Sequence, residues 1–374
     1  MDILARLHIN PLLDTPLVLQ LKEQLTWLIA SGQIQPGESL PPIRQAAEHL
    51  RINLHTVRHA YLKLAALGLV ETRQGQATRV LPYDPLRFSL IGGQAPSHMI
   101  GVIVPGLVNP LYAEYLRGVD ALARPQHNLL LVCDAHDDSE EALLYFRKLV
   151  EKKVDGILVF SFSIAEHLPP EACENGSSLA IPFVTVDWPQ EQGYNVVCDV
   201  ESGTQQVVTH LLQDGHRRIG LIAFALNIPA VQQMQAGYQS ALAAAGLAFE
   251  EDLVAPVYGF GMLAGEEAAR ALLALPEPPT AILAMSDLMA LGALSAIRAA
   301  GLSVPEDIAL AGGNDIPLAH LVDPPLTTLH QPAYEMGQAA MQLLQQLIAG
   351  QRPEQRQVNL PTSLVIRQSC GPHG

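Results

Sequence analysis

Cysteine is scarce in this chain of 374 residues: Cys133, Cys173, Cys198 and Cys370 are the full set. They lie far apart and show no metal-type spacing, which counts against a disulfide framework or a zinc cluster and fits reduced thiols. Long apolar runs are also missing, and no stretch approaches the ~20 residues of a membrane helix. The N-terminal MDILARLHINPLLD has no basic start, extended apolar core and small-residue cleavage site, so a cytoplasmic location is expected. Catalytic signatures are lacking too. There is no Walker loop, no G-x-S-x-G elbow and no H-E-x-x-H pair, and Gly259-Phe260-Gly261 reads as a turn. The carboxylate pairs Asp137-Asp138, Glu140-Glu141 and Glu266-Glu267 fall at helix starts, where the helix dipole and solvent favour them. His216, Arg217 and Arg218 read as surface residues ahead of a strand. No enzyme activity, cofactor or metal is expected.

Basic charge is in short supply and unevenly placed. Of 22 Lys and Arg against 37 Asp and Glu, residues 1–80 hold eight and six, a net of +2. The remainder then holds 22 − 8 = 14 basic and 37 − 6 = 31 acidic residues, a net of −17. An acidic body repels a phosphate backbone, so any nucleic-acid contact belongs to the N-terminal part. That part is only weakly basic, which predicts a dimer pooling two heads. Length suggests two or three units, and the 49% of apolar residues suffices for sizeable cores.

Leu40 to Val80 is the most informative stretch. Ile43, Ala46, Ala47 and Leu50 mark a short amphipathic helix. Asn53 is placed to cap a second helix, whose apolar face is Val57, Ala60, Tyr61, Leu64 and Leu67. That periodicity turns His55, Thr56, Arg58, His59 and Lys63 outward. Gly68 ends the helix, and Leu69–Thr72 can pair with Ala77–Val80 across Gln74-Gly75. Two helices and a hairpin form a winged helix whose second helix suits a DNA major groove; the bland alternative is a small bundle that only packs against the rest. Upstream, Leu21, Leu25, Leu28 and Ile29 share one face of a helix over residues 17–31.

Residues 15–80 resemble the DNA-binding domain of the GntR (gluconate-repressor) family of bacterial transcription regulators. The resemblance rests on Pro16-Leu17, Ile34-Gln35-Pro36-Gly37, Leu40-Pro41-Pro42-Ile43-Arg44, Thr56-Val57-Arg58 and Gly68-Leu69-Val70. It implies Arg44 on phosphate, Arg58 on phosphate or base edges, His55 and Thr56 beside it, and Gly75 at the wing tip near the minor groove. Leu54 stands where the family commonly has arginine, which alters the expected sequence preference.

Residues 81–98 hold three prolines and no sustained periodicity, as a linker does. From Met99 short β-rich runs at 100–104, 129–133, 156–160 and 183–186 alternate with helical patterns. The alternation resumes at 219–223, 253–258, 281–284 and 308–311. It predicts an α/β body of two lobes with parallel sheets, and a ligand cleft between the carboxyl ends of their strands. The expected domains are therefore 1–80, a linker at 81–98, and 99–374.

This body resembles the effector domain of LacI-type regulators, which is related to periplasmic sugar-binding proteins. Its landmarks include Ile100–Pro105 with Asn109-Pro110, Val154-Asp155-Gly156-Ile157, Gly215–Ile219, Ser286–Ala293 and Asp323–Thr328. The resemblance implies lobe crossings near Cys198, Gln331 and Leu360, and dimerisation through this domain. It also implies an effector site at Tyr112, Asp187, Trp188, Met234, Phe260, Ser286, Asp287 and Asn314. Met234 stands in place of a frequent ligand-binding arginine, Ser286 of an asparagine and Asn314 of an aspartate, so the ligand need not be a usual family sugar. The expected function is a one-component transcription regulator, a homodimeric repressor of a transport or catabolic operon, binding operator DNA under control of a small molecule. A sugar or sugar derivative leads and a nucleoside follows. The alternative is a small-molecule binding or transport component without a DNA role.

Overall fold

The computed structural model describes residues 3–7, 9, 16–30, 34–72, 77–82, 97–160, 181–189, 193–226, 228–259 and 261–371. One compact unit is built on Met1–Ser97 and another on the bulk of His98–Gly374.

In the N-terminal unit, α1 (Leu17–Ala30), α2 (Ile43–Leu50) and α3 (Leu54–Ala66) precede a hairpin of β1 (Val70–Glu71) and β2 (Arg79–Val80). All four apolar residues expected on one face of α1 are buried, and they meet Val57, Ala60, Tyr61 and Leu64 of α3 in one core. The Asn53 side chain accepts from the His55 amide at 2.8 Å and caps α3. Arg51 takes the left-handed conformation that ends α2, and Gly68 (φ +70°) does the same after α3. The hairpin pairs Val70 with Val80 and Glu71 with Arg79, and Ser39 bridges to Arg79 on the far side. The wing therefore gains a third strand position that no periodicity in the sequence announces.

The second unit holds two six-stranded sheets. In the first lobe the order is β13-β7-β6-β5-β3-β4, where β3 is Met99–Val104, β4 Leu129–Asp134, β5 Gly156–Val159, β6 Phe183–Val186, β7 Asn195–Cys198 and β13 Gln357–Leu360. In the second lobe the order is β14-β12-β11-β10-β8-β9, with β8 Ile219–Phe224, β9 Val254–Val257, β10 Ala281–Ala284, β11 Ala309–Asn314, β12 Thr327–His330 and β14 Ser363–Val365. Pairing is parallel except for β14 on β12. Helices α4 (Leu111–Ala123), α5 (Ser139–Glu151) and α10 (Ala333–Ile348) accompany the first sheet. With the second go α6 (Val200–Gln213), α7 (Pro229–Ala244), α8 (Met262–Leu273) and α9 (Asp287–Ala299). Strands β5, β6, β8 and β10 are buried throughout, as central parallel strands under two helical layers must be.

The chain passes from one sheet to the other three times: after β7, after β12 and between β13 and β14. These passages lie at Cys198, Gln331 and Leu360, where the sequence placed them. Strands β7, β12, β13 and β14 are three or four residues long, too short for alternation to reveal. No described helix is long and apolar enough to cross a membrane.

Candidate DNA-reading face and ligand cleft

On α3 the residues that escape the core form one outward face. His55, Arg58 and His59 are exposed, Thr56 is half-buried, and Arg44 is exposed on α2. The Tyr61 hydroxyl donates to the Pro41 carbonyl at 2.8 Å and ties the middle of α3 to the start of α2. This fixes the angle between the two helices, so Arg44 and Arg58 are carried on a rigid frame. Gly75 lies outside the described residues.

In the two-lobed unit the strands of both sheets end at a cavity. Its wall includes Asn109, Leu111 and Tyr112 after β3, Asp187 after β6 and Cys198 at the end of β7. From the second lobe come Phe224 at the end of β8, Met234 of α7, Met285 and Ser286 after β10, and Gly312, Gly313 and Asn314 of β11. The cavity thus lies where the carboxyl ends of doubly wound sheets place a ligand. Its volume is about 100 Å³, less than the ~150 Å³ of a site that holds one benzene. Even one small ring therefore requires the lobes to part.

One side-chain network crosses the cavity floor. Gln331, at the passage from β12 to α10, donates through Nε2 to both Asp187 oxygens at 3.0 Å and to the Tyr115 hydroxyl at 2.6 Å. Its Oε1 accepts from Asn314 Nδ2 at 2.9 Å. The Tyr115 hydroxyl also donates to Asp187. Asp187 from the first lobe and Asn314 from the second are therefore held by a single residue of the crossing. Burial pushes the Asp187 carboxyl up to about 6, against the hydrogen bonds from Tyr115 and Gln331 that favour its charge. Both Asp187 (φ +60°) and Asn314 (φ +97°) sit in left-handed backbone, which turns their side chains off the strand line.

Of the expected effector positions, Tyr112, Asp187, Met234, Ser286 and Asn314 meet at this cavity. Two others, Trp188 and Asp287, are not on its wall. Trp188 is buried in an apolar cluster with Ile222, Phe224 and Ile228 of the second lobe. Asp287 is fully buried behind the wall, accepting from the Thr328 hydroxyl and from the Ile316 amide at 2.7 Å. Burial pushes its carboxyl up to about 7. Ser286 is instead the cap of α9, accepting from the Met289 amide at 3.3 Å. Phe260 lies outside the described residues. The sequence singled out Gln331 only as a crossing, and it missed Asn109, Tyr115 and Phe224. Gln331 had one signal, a polar side chain at the hinge itself. Among the described residues no group of three or more His, Cys, Asp or Glu could hold a metal, and Cys133, Cys198 and Cys370 are free thiols.

Residues 17–80 match the family described as "Bacterial regulatory proteins, gntR family", and residues 208–370 match "Periplasmic binding protein-like domain". The chain is 32% identical over 343 residues to the HTH-type transcriptional repressor CytR of Escherichia coli K12, covering 89% of this chain and 97% of that protein. The chain belongs to the HTH-type transcriptional repressors. A further relative of this repressor is PurR of Aliivibrio salmonicida, 29% identical over 330 residues, 87% of this chain and 98% of that one. Among solved structures, the repressor resembles a LacI family transcriptional regulator from Enterococcus faecium with bound ribose. The TM-score is 0.66 at 26% identity, covering 74% of this chain and all of that one. The repressor thus joins a gntR-type head to a LacI-type body, and the relatives named are regulators rather than enzymes.

Proposed function

We propose that this repressor binds operator DNA through α3 and the wing as a homodimer in the cytoplasm, and that a small molecule in the cleft sets its affinity. The observation that carries the reading is Gln331, one hinge residue hydrogen-bonded to a cavity residue of each lobe. A ligand that engages Asp187 or Asn314 competes with that bridge, so its binding energy is coupled to the angle between the lobes. Such coupling is what a regulator needs and what an enzyme site does not.

The direct DNA contacts we assign are Arg44 to phosphate and Arg58 to phosphate or base, flanked by His55, Thr56 and the wing tip at Gly75. The effector contacts are Tyr112, Asp187, Met234, Ser286 and Asn314. The wall joins an aromatic ring and apolar side chains to amide, hydroxyl and carboxylate groups, a mixture suited to a ring carrying polar substituents. The Enterococcus faecium neighbour holds ribose, which puts a sugar derivative first and a nucleoside second. Dimerisation is supported by exposed apolar side chains on or beside one edge strand of each sheet. Leu129 and Val132 are exposed on β4, and Tyr258, Met262 and Leu263 beside β9. Exposed apolar edges of this kind are covered in stable proteins.

The test is operator binding by single variants of the full-length protein. Arg58→Ala is expected to weaken specific binding by roughly 1–3 kcal/mol if it reads a base edge, while Arg44→Ala weakens specific and non-specific DNA alike and flattens the salt dependence. If both variants fold and bind like the parent, α2 and α3 are not the DNA face.

A further inference from the structure

Among the described residues lining the cavity, Asp187 is the one whose side chain is charged near neutral pH; no lysine, arginine or histidine contributes to the wall. A carboxylate has about four lone-pair positions on its two oxygens. Three neutral side chains reach them. The Tyr115 hydroxyl and Gln331 Nε2 reach Oδ2, Gln331 also lies 3.0 Å from Oδ1, and the Cys198 thiol lies 3.9 Å from Oδ1. Each of these donors is neutral, and burial raises the pKa of both Tyr115 and Cys198, so they stay protonated. Asp187 is therefore reached by neutral donors and, among the described residues lining the cavity, has no counter-charge. Buried carboxylates are normally paired.

The surroundings do not supply the missing charge. Tyr112, also on the wall, is near a second carboxylate, Asp137, and burial followed by Asp134 pushes Asp137 up to about 6. Residues beyond position 80 carry 14 basic against 31 acidic side chains. A neutral hydroxyl can add one more neutral hydrogen bond to Asp187 but leaves its charge without a counter-charge. A phosphate or carboxylate meets like charge and no base. A cation needs no vacant lone pair. Its attraction acts through space and is strong where water is excluded, and Tyr112 adds an aromatic ring to the same wall.

We infer that the cleft takes a molecule bearing a protonated amine, of the class of amino sugars and small hydroxylated amines, and that Asp187 receives its charge. This assignment rests on the effector reading above. The cavity of about 100 Å³ is smaller than such a molecule, so its entry requires the lobes to part.

The experiment is a thermal-shift screen followed by calorimetric titration of the full-length protein at pH 7 with pairs matched in shape and differing in charge. These are D-glucosamine against D-glucose, D-galactosamine against D-galactose and putrescine against 1,4-butanediol, with D-glucose 6-phosphate and D-ribose 5-phosphate as anionic members and D-ribose and cytidine as neutral ones. An amine is expected to bind at least ~10-fold more tightly than its uncharged counterpart. Asp187→Asn is expected to lose roughly 30-fold or more of that affinity, and Asp187→Glu to recover most of it. Should Asp187→Asn fail to fold, the parent protein gives a second readout. Its affinity for the amine should fall about 10-fold from pH 7 to pH 5, as the free carboxyl near 6 takes up a proton and the amine stays charged. The facing titratable groups, Tyr112, Tyr115 and Cys198, stay neutral over that range. Binding confined to neutral or anionic members, no binding by any amine, or an amine affinity indifferent to both Asp187 and pH each overturns the assignment. A neutral ligand that binds and alters operator affinity overturns the charge class alone. An amine that binds through Asp187 and leaves operator affinity unchanged overturns the effector reading alone.

Discussion

Asp187, Trp188, Ser286 and Asp287 show how far single residues can be read from sequence. The two neighbouring pairs each mark the end of a strand at the cleft, and that much follows from position. Which member of each pair turns into the cavity depends on one backbone dihedral, and the left-handed Asp187 leaves no trace in residue type. Trp188 is instead buried in the apolar cluster that also holds Ile222, Phe224 and Ile228, so Trp188→Ala should cost stability, by ~3–5 kcal/mol for a large aromatic in a core. Chemical denaturation of the parent and the variant checks it. Asp287→Ala strands the Thr328 hydroxyl and the Ile316 amide in the interior, and is expected to destabilise by about 2–4 kcal/mol. The sign for Asp187 runs the other way. Its folded pKa of about 6 lies above the ordinary 3.8, so above pH 6 the ligand-free fold carries a buried charge that the unfolded chain holds in water. Asp187→Asn should therefore raise Tm at pH 8 and lose that advantage toward pH 4; an unchanged difference across this range would show that the carboxyl is solvated.

At the scale of elements, the helix of highest diagnostic value was legible except at its end: Leu67, expected on its buried face, is the half-buried residue just after it. The period of Val57, Ala60, Tyr61 and Leu64, the Asn53 cap and the Gly68 stop all agree with α3, because one short helix contains its own signals. Contacts between helices were not legible, since they join residues far apart in the chain. Helices α8 and α9 approach so closely that a Cβ on Gly265 would lie 2.1 Å from the Met289 carbonyl oxygen, and one on Gly292 would lie 1.8 Å from that of Met262. Helices α4 and α10 meet the same way, through Gly118 against Tyr334 and Gly337 against Tyr115. Backbone cannot yield as a side chain can, so Gly292→Val should destabilise by ~2 kcal/mol or more through overpacking. Gly337→Ala should also displace Tyr115, the donor to Asp187, and so weaken ligand binding as well as the fold. Thermal unfolding with and without a cleft ligand separates the two effects.

For the whole molecule, charge distribution and alternation of elements gave the plan: a weakly basic head, an acidic body and two parallel sheets. The three crossings make the body a hinge with Gln331 at its centre, a role that depends on Asp187 and Asn314 converging from 144 and 17 positions away along the chain. A net of −17 beyond residue 80 opposes DNA, so a single head is expected to bind weakly. A fragment ending at residue 82 should bind far less tightly than the full chain, which should sediment as a dimer. The central claim is that occupancy of the cleft governs the head. The most direct measurement is the affinity of full-length protein for an operator duplex obtained by in-vitro selection, read by fluorescence anisotropy with and without a saturating cleft ligand, for the parent and for Asn314→Leu. The account predicts a change of at least ~10-fold in the parent, the size of a ~1.4 kcal/mol coupling, and none in Asn314→Leu, which lacks the second-lobe half of the Gln331 bridge. An operator affinity in the parent that stays the same when the cleft is empty and when it is full would contradict it.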